Sequence, residues 1–255
     1  MSYLDAIILA IVEGATEFLP ISSTGHLVLM SHVLGIGQDT FVQLFQVAVQ
    51  LGAVAAVLHK WGPRLLKDMG LLMRVVVAFL PMAIAGFLLY PLIKGFLGNP
   101  MIVVWALGIG GLIMIVLEQF INEPATDGDV KEEITYKRAV LVGLAQVLAL
   151  IPGVSRSATT VCAGLAMGMS RRSIVEFSFL LAVPTLGAAT ALDIMSNVGL
   201  ITSHTLGLLM VGCVIAYIVA RVVMDWLISF VQTHDFTWFG AYRIVVAIVA
   251  WLFIA

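Results

Sequence analysis

Charged side chains are scarce in this sequence of 255 residues. Only 11% of the residues are Asp, Glu, Lys or Arg, whereas 61% are hydrophobic, and the mean hydropathy is +1.09. A soluble domain of this length carries roughly a quarter charged residues. The shortage excludes an ordinary soluble domain and predicts an all-α polytopic membrane protein.

Cysteine and excess positive charge are lacking as well. Cys162 and Cys213 lie in separate apolar segments, so we predict neither a disulfide framework nor a zinc site. A net charge of −2 offers no basic face, and no nucleic-acid partner is expected. The first ten residues contain Asp5 but no Lys or Arg, unlike a cleaved signal peptide, so we expect them to belong to the mature chain.

Apolar runs of two lengths alternate along the chain. A helix that spans a bilayer needs about 20 mostly apolar residues. Runs of roughly that length predict six transmembrane helices, with Pro81 expected to kink the second of them: 41–58, 75–93, 101–121, 174–195, 206–228 and 238–254.

Four shorter apolar runs come in two pairs, and each pair is joined by a polar turn. The first pair covers 4–12 and 27–34, and the second covers 139–150 and 161–169. Because none of these runs can cross a bilayer alone, each pair predicts a re-entrant helical hairpin surrounded by protein or a wet cavity.

The two halves of the chain echo each other. Leu19-Pro20 precedes one serine-rich turn, and Ile151-Pro152 precedes another. Gly52 and Gly187 are separated by almost as many residues as Pro20 and Pro152. Paired interrupted segments in two halves are typical of an internal repeat with a site near the membrane centre. We predict a single membrane domain, 1–255, of inverted repeats over about 1–121 and 139–255, joined by the polar loop 122–138.

Basic residues are distributed unevenly between the two predicted sides of the membrane. Three spans separate the hairpins, so the hairpins should enter from opposite sides. Only Lys94 then lies in a loop on one side, whereas the other side receives Lys60, Arg64, Lys67, Arg74, Lys131, Lys137, Arg138, Arg171 and Arg172. The positive-inside rule makes the basic side, including loop 122–138, cytoplasmic and places both termini outside.

The first polar turn begins with two carboxylates. Glu13 and Glu17 are four residues apart, which places them on one face of a helix, and Pro20 should end that helix. The pair could bind a divalent cation through its oxygens, either Mg²⁺ or Ca²⁺. It could instead share a proton or form a structural pair. A diphosphate substrate would favour the metal interpretation, because its charge has to be offset in a low-dielectric site.

Hydroxyls and an imidazole follow the carboxylates. Ser22 and Ser23 are candidate nucleophiles, and His26 is the candidate general base or orienting group. The alternatives are that the serines cap a helix and that His26 is a hydrogen-bonded interior histidine.

The second polar turn places Arg156 after Pro152 at the start of an apolar helix. A planar guanidinium and the free N–H groups of a helix start both favour an anion, most naturally phosphate. The alternative is an internal ion pair between Arg156 and Glu13, Glu17 or Glu176, although such pairs seldom stabilise more than apolar substitutes.

Both motifs together resemble the undecaprenyl-diphosphate phosphatase family, also called the bacitracin resistance protein family. The resemblance rests on 13–26, on 152–160 and on 176–184, and it extends over essentially the whole chain. It implies a bacterial inner-membrane enzyme that removes the terminal phosphate of undecaprenyl diphosphate, which recycles the lipid carrier of cell-wall synthesis and confers bacitracin resistance. It further implies a divalent cation, a site that faces the periplasm, and six transmembrane helices with two re-entrant hairpins.

The resemblance also assigns a role to each polar residue of the two turns. Glu17 handles the metal or a proton with help from Glu13, Ser23 is the favoured nucleophile, and His26 activates or orients. The remaining residues are expected to hold the phosphates, with Arg156 as a clamp and Ser22, Ser155, Ser157 and Thr160 around it. Whether Ser23 or His26 attacks phosphorus stays open, and so does a homodimer.

A transporter or lipid flippase is the second hypothesis. Inverted repeats with broken helices are also a transporter architecture, and a fold does not decide its function. Phosphate release by purified protein in detergent separates the two hypotheses, because transport requires two compartments and hydrolysis does not.

Overall fold

The computed structural model describes residues 1–37, 39–89, 100–121 and 134–254, and these residues are helical without any strand. Two short 3₁₀-helices, Val147–Leu150 and Val198–Leu200, accompany eleven α-helices in this part of the chain. In chain order the α-helices are α1 Tyr3–Thr16, α2 Ser23–Val33, α3 Thr40–Ala48, α4 Gln50–Lys67, α5 Met69–Leu88, α6 Pro100–Glu118, α7 Tyr136–Gln146, α8 Arg156–Ala166, α9 Arg171–Ser196, α10 Ser203–Phe230 and α11 Thr237–Ile254.

Five helical segments in the described chain are long and apolar enough to cross a membrane: Thr40–Lys67, Met69–Leu88, Met101–Glu118, Arg171–Ser196 and Ser203–Phe230. The predicted all-α polytopic membrane class is therefore confirmed. The sixth predicted span, in α11, is apolar but falls below that length over Thr237–Phe253. Six spans and the re-entrant course of the hairpins stay predictions, because helix length alone does not fix them.

The first helical hairpin consists of α1 and α2. Helix α1 starts with a capping box in which Ser2 and Asp5 bond each other's backbone N–H, which satisfies donors that a helix start leaves free. It continues through Glu13 to Thr16, four residues beyond the predicted end at residue 12. Pro20 then lies in the turn before Ser23 begins α2.

The second hairpin repeats this arrangement with α7 and α8. Helix α7 tightens into the 3₁₀-helix Val147–Leu150 before Pro152. Arg156 is the first residue of α8, as predicted.

The segment Thr40–Lys67 is interrupted at Val49, where α3 ends and α4 begins. Carbonyl groups released by the break find new donors, since the Thr190 hydroxyl donates to the Val47 carbonyl at 3.1 Å and the Cys213 thiol contacts the Ala48 carbonyl at 3.5 Å. The described helix also runs through Lys60 to Lys67, whereas the sequence predicted that the span ends at residue 58.

Helix contacts fall into corresponding pairs between the two halves. Helix α1 packs on α10 as α7 packs on α5, and α4 packs on α10 as α9 packs on α5. Glycines allow close approaches in both halves: a Cβ on Gly14 would lie 2.7 Å from the Ala216 carbonyl oxygen, and one on Gly143 would lie 2.2 Å from that of Ala78. These contacts agree with inverted repeats over about 1–121 and 139–255, which stay a prediction.

Several predicted cytoplasmic residues gather at one end of the bundle. Arg171 bonds the Glu118 carboxylate at 2.6 Å, and the same carboxylate accepts the backbone N–H of Phe236 at 2.9 Å. Glu176 pairs with Arg172 at 3.2 Å and lies 3.8 Å from Arg64. Residues 122–133 of the predicted polar loop, and Lys94 on the opposite side, lie outside the described residues.

Candidate active site

The two polar turns touch each other inside the helix bundle. The Ser157 hydroxyl donates to the Leu19 carbonyl at 2.8 Å. Nη2 of Arg156 lies 3.2 Å from Oε1 of Glu17, and both side chains are buried. The arginine of the second turn therefore lies at the tip of the first hairpin.

Each turn ends in a serine with an unusual backbone. Ser22 has φ 73° and Ser155 has φ 77°, and within the described chain these are the non-glycine residues with positive φ. Each side chain caps the following helix, because Ser22 accepts from the Gly25 N–H and Ser155 from the Ala158 N–H. Left-handed backbone at a non-glycine residue costs on the order of 1–3 kcal/mol and is concentrated at functional sites.

Glu17 is the centre of the site. Its Oε2 accepts a 2.5 Å hydrogen bond from the Ser23 hydroxyl, and its Oε1 pairs with Arg156. A carboxylate at this distance from a hydroxyl is placed to take its proton, provided that the hydroxyl attacks an electrophile.

Arg156 has one buried donor to spare. Its Nη1 donates to the Ser178 carbonyl at 2.8 Å and lies 3.3 Å from the Ser178 hydroxyl, and Nη2 faces Glu17. Its Nε is buried without a partner in the described structure. The internal ion pair considered from the sequence is therefore present with Glu17, whereas Glu176 pairs with other arginines, and an N–H donor remains available to an anion.

Glu13 lies one helical turn before Glu17 and is fully buried. Neither of its carboxylate oxygens has a hydrogen-bond partner in the described structure. Buried acceptors without partners are costly, so a proton or a cation is expected there.

The carboxylate oxygens of Glu13 and Glu17 are hard donors of the kind that Mg²⁺ and Ca²⁺ prefer. The described residues contain no group of three or more His, Cys, Asp or Glu that could hold a metal. Two carboxylates fit a cation whose remaining ligands are water and the oxygens of a bound phosphate, as is usual for Mg²⁺.

His26 bonds groups other than the Ser23 hydroxyl. Its Nδ1 lies 2.8 Å from the Ser22 carbonyl and its Nε2 lies 2.8 Å from the Tyr242 hydroxyl. Because a carbonyl only accepts, Nδ1 carries the proton, and a neutral ring accepts the Tyr242 proton at Nε2. This geometry fits an orienting role, since both ring nitrogens are already engaged.

The hydroxyls of the second turn bond mainly within the protein. Ser155 and Ser157 lie 3.0 Å apart, and Thr160 contacts the Arg156 carbonyl at 3.0 Å and the Ser178 hydroxyl at 2.8 Å. The structure brings these predicted phosphate-binding residues beside Arg156, and their contact with phosphate stays a prediction.

Arg243 is a site residue whose role sequence reasoning missed. Its guanidinium is fully buried and donates to five carbonyls, those of Pro20, Gly153, Val154, Ala106 and Leu107. One side chain thus holds the first turn, the second turn and α6 together. The sequence signal for Arg243 was an arginine within an apolar run, where ionisable residues are usually functional. Ser178 and Tyr242 also contact site residues, but they are ordinary residues of apolar helices and gave no such signal.

Known proteins are similar in sequence to this chain over nearly its whole length. The profile of the family described as "Bacitracin resistance protein BacA" matches residues 6–249. A protein from Aquifex aeolicus named undecaprenyl-diphosphatase is 43% identical over 250 residues, which cover 98% of this chain and 97% of that protein. One of the same name from Sulfurihydrogenibium is 44% identical over 252 residues, with 99% of each chain covered. The resemblance inferred from the two motifs is confirmed, and the chain belongs to the bacitracin resistance protein BacA family.

Proposed function

We propose that the protein hydrolyses undecaprenyl diphosphate to undecaprenyl phosphate and inorganic phosphate. Family membership and relatives named undecaprenyl-diphosphatase support this function, and neither supports the transporter or flippase hypothesis. The observation that carries it is the buried chain Ser23–Glu17–Arg156, which joins a nucleophile, a base and an anion-binding group across the two turns.

The protein is a multi-pass membrane protein. We further propose the bacterial inner membrane, with the site open to the periplasm. The excess of Lys and Arg at one end of the bundle supports a cytoplasmic location for that end. The first hairpin would then enter from the periplasmic side, and the family resemblance implies a site that faces the same side.

The diphosphate would bind at the start of α8. Arg156 would turn its free Nε towards phosphate oxygens, and the dipole of α8 favours the same charge. Ser22, Ser155, Ser157 and Thr160 surround this position and would supply further hydrogen bonds once the phosphate displaces their internal partners.

Ser23 would then attack the terminal phosphorus. As its oxygen forms a bond to phosphorus, the hydroxyl proton passes to Glu17 at Oε2, and the bond to the bridging oxygen breaks to release undecaprenyl phosphate. Water then cleaves the phosphoserine: its oxygen bonds to phosphorus as the Ser23 oxygen leaves, Glu17 returns its proton to Ser23, and phosphate departs with the protons of the water. His26 would keep the turn in place through the Ser22 carbonyl.

Glu13 and Glu17 would hold the divalent cation, Mg²⁺ or Ca²⁺. Such a cation, when bound, neutralises phosphate charge and orients the diphosphate. The unpartnered carboxylate of Glu13 supports this assignment.

Phosphate release from undecaprenyl diphosphate by purified protein in detergent tests the function. We expect release by the unaltered protein, almost none by Ser23→Ala, and full release by Ser229→Ala, because Ser229 is exposed and bonds only its own helix. Absence of release from the unaltered protein contradicts the function. Full release by a folded Ser23→Ala protein contradicts the assignment of Ser23 as the nucleophile and leaves the function in place.

A further inference from the structure

A groove on the outer surface of the bundle leads away from the first turn. We call it the aromatic groove; it has a volume of about 740 Å³ and its walls include Leu19, Ile21, Trp226, Phe230, Trp238 and Tyr242. One wall is the turn itself, and the other is formed by the end of α10 and the start of α11.

The aromatic groove borders the candidate active site. Leu19 and Ile21 flank Pro20, in the turn between Glu17 and Ser22. The Leu19 carbonyl accepts from Ser157. On the opposite wall, the Tyr242 hydroxyl bonds His26. The groove therefore lies against the turn that carries Glu17, and its opposite wall is bonded to a residue of α2.

Apart from Thr16, His234 and the Tyr242 hydroxyl, the lining of the groove is hydrocarbon or aromatic, which suits a hydrocarbon chain. Trp226 and Trp238 are 48% and 71% exposed, so they present aromatic faces to the outside. Behind them, Phe230 stacks on Trp226 with ring centroids 5.0 Å apart and meets Phe239 edge-on at 5.5 Å. These ring contacts give the groove a firm wall.

Apolar surface alone does not explain such a groove in a membrane protein. Lipid tails are as apolar as side chains, so contact with protein gains no hydrophobic free energy relative to lipid. Selective binding of a chain must come from close packing against a shaped surface and against aromatic faces. A concave aromatic wall beside the reacting groups provides such a surface.

We propose that the aromatic groove holds the isoprene units that lie next to the diphosphate of the substrate. This proposal rests on the proposed function and adds a binding site for the prenyl chain. Phe230 and Trp238 of the groove flank Phe236 in the chain, and the Phe236 N–H bonds Glu118 at the basic end of the bundle. The chain would therefore leave the site towards the basic end of the protein.

A pair of double variants tests the proposal by kinetics. Trp226→Ala with Trp238→Ala removes two walls of the groove, whereas Trp105→Ala with Trp251→Ala removes two tryptophans of similar exposure, 62% and 47%, elsewhere on the surface. For undecaprenyl diphosphate we expect the groove variant to raise KM about fivefold with kcat within about twofold, because packing is lost and the chemistry is not. The control variant should retain the KM of the unaltered protein. Equal KM values in both variants overturn the proposal.

Photolabelling of the unaltered protein gives a second readout that does not depend on folding of a variant. The probe is a polyprenyl diphosphate with a diazirine on its first isoprene unit. We expect crosslinks to Phe230, Trp238 or their neighbours in the groove, and we expect undecaprenyl phosphate to suppress them. Crosslinks on the Trp105 face, or equal suppression by a phospholipid with acyl chains, contradict a prenyl site.

The two proposals fail in different ways. Absence of phosphate release from the unaltered protein contradicts the proposed function, whatever the label shows. Normal release combined with labelling outside the groove contradicts the prenyl site and leaves the function in place.

Discussion

Ser23 donates a 2.5 Å hydrogen bond to Glu17. The serine begins α2 and the glutamate follows α1, so the contact closes the first turn on itself. The other carboxylate oxygen is held by Arg156 from the second turn. The Glu17 carboxylate thus orients the Ser23 hydroxyl and holds the Arg156 guanidinium. The geometry of the site therefore depends more on Glu17 than on any other described residue.

Glu17→Gln should retain the fold and lose most of the activity. The amide keeps the volume of the side chain but cannot take a proton from Ser23, and general bases contribute typically about 10²–10⁴-fold. We expect kcat for phosphate release to fall by about that factor. Glu176→Gln is the matched control, since Glu176 is also buried and paired with arginine but lies outside the turns. A similar loss in both variants would show a structural effect rather than loss of a base.

Arg156→Lys should weaken binding of the diphosphate even though the charge is retained. Lysine cannot bond Ser178 and Glu17 at once and lacks the Nε donor that is free in this structure. We expect kcat/KM to fall about a hundredfold, which corresponds to losing hydrogen bonds with a charged group. Arg172→Lys, on a half-exposed arginine paired within its own helix, should leave kcat/KM within about twofold. A fully active Arg156→Lys protein would contradict the clamp.

Arg243→Met should mainly lower the stability of the folded protein. The variant leaves five buried carbonyls without their donor, and we expect the free energy of unfolding to fall by roughly 3 kcal/mol or more. Thermal unfolding in detergent measures the change. Arg221→Met, which removes a half-exposed partner of Asp225, should cost less than about 1 kcal/mol. Equal thermal midpoints for the two variants would show that Arg243 does not hold the turns.

Removal of divalent cations should suppress phosphate release. We expect EDTA to abolish release and added Mg²⁺ or Ca²⁺ to restore it, because Glu13 and Glu17 offer oxygen ligands beside the proposed phosphate position. Glu13→Gln should raise the cation concentration required for half-maximal activity. Asp193→Asn, at the far end of α9 where its carboxylate accepts from Asn197, should not change it. Undiminished release in EDTA would contradict a role for metal.

Local signals in the sequence predicted the hairpins and the meeting of the turns. Pro20 and Pro152 interrupt apolar runs, and an ionisable group such as Arg156 within an apolar run requires a partner. The sequence left Glu13, Glu17 and Glu176 open as partners in an alternative to the phosphate clamp, and the structure shows the pair with Glu17. The sequence could not indicate that Arg243 bonds both turns, since its acceptors are carbonyls, which every residue carries. It also gave no sign of the break at Val49. Val49 itself is neither proline nor glycine, and the carbonyls of Val47 and Ala48 beside it accept from distant helices.

Arg243 also has an electrostatic consequence. Its described hydrogen bonds all end on carbonyls, so no carboxylate contacts its charge, whereas Glu17 offsets the charge of Arg156. Coulomb attraction is strong in a low-dielectric interior and grows with the charge of the ligand. Because no carboxylate in the described structure offsets this charge, we expect it to favour a lipid that carries two phosphates over one that carries a single phosphate. After hydrolysis has removed the terminal phosphate, the lipid carries less negative charge and should be held less strongly. We expect undecaprenyl phosphate to leave the site for the surrounding bilayer.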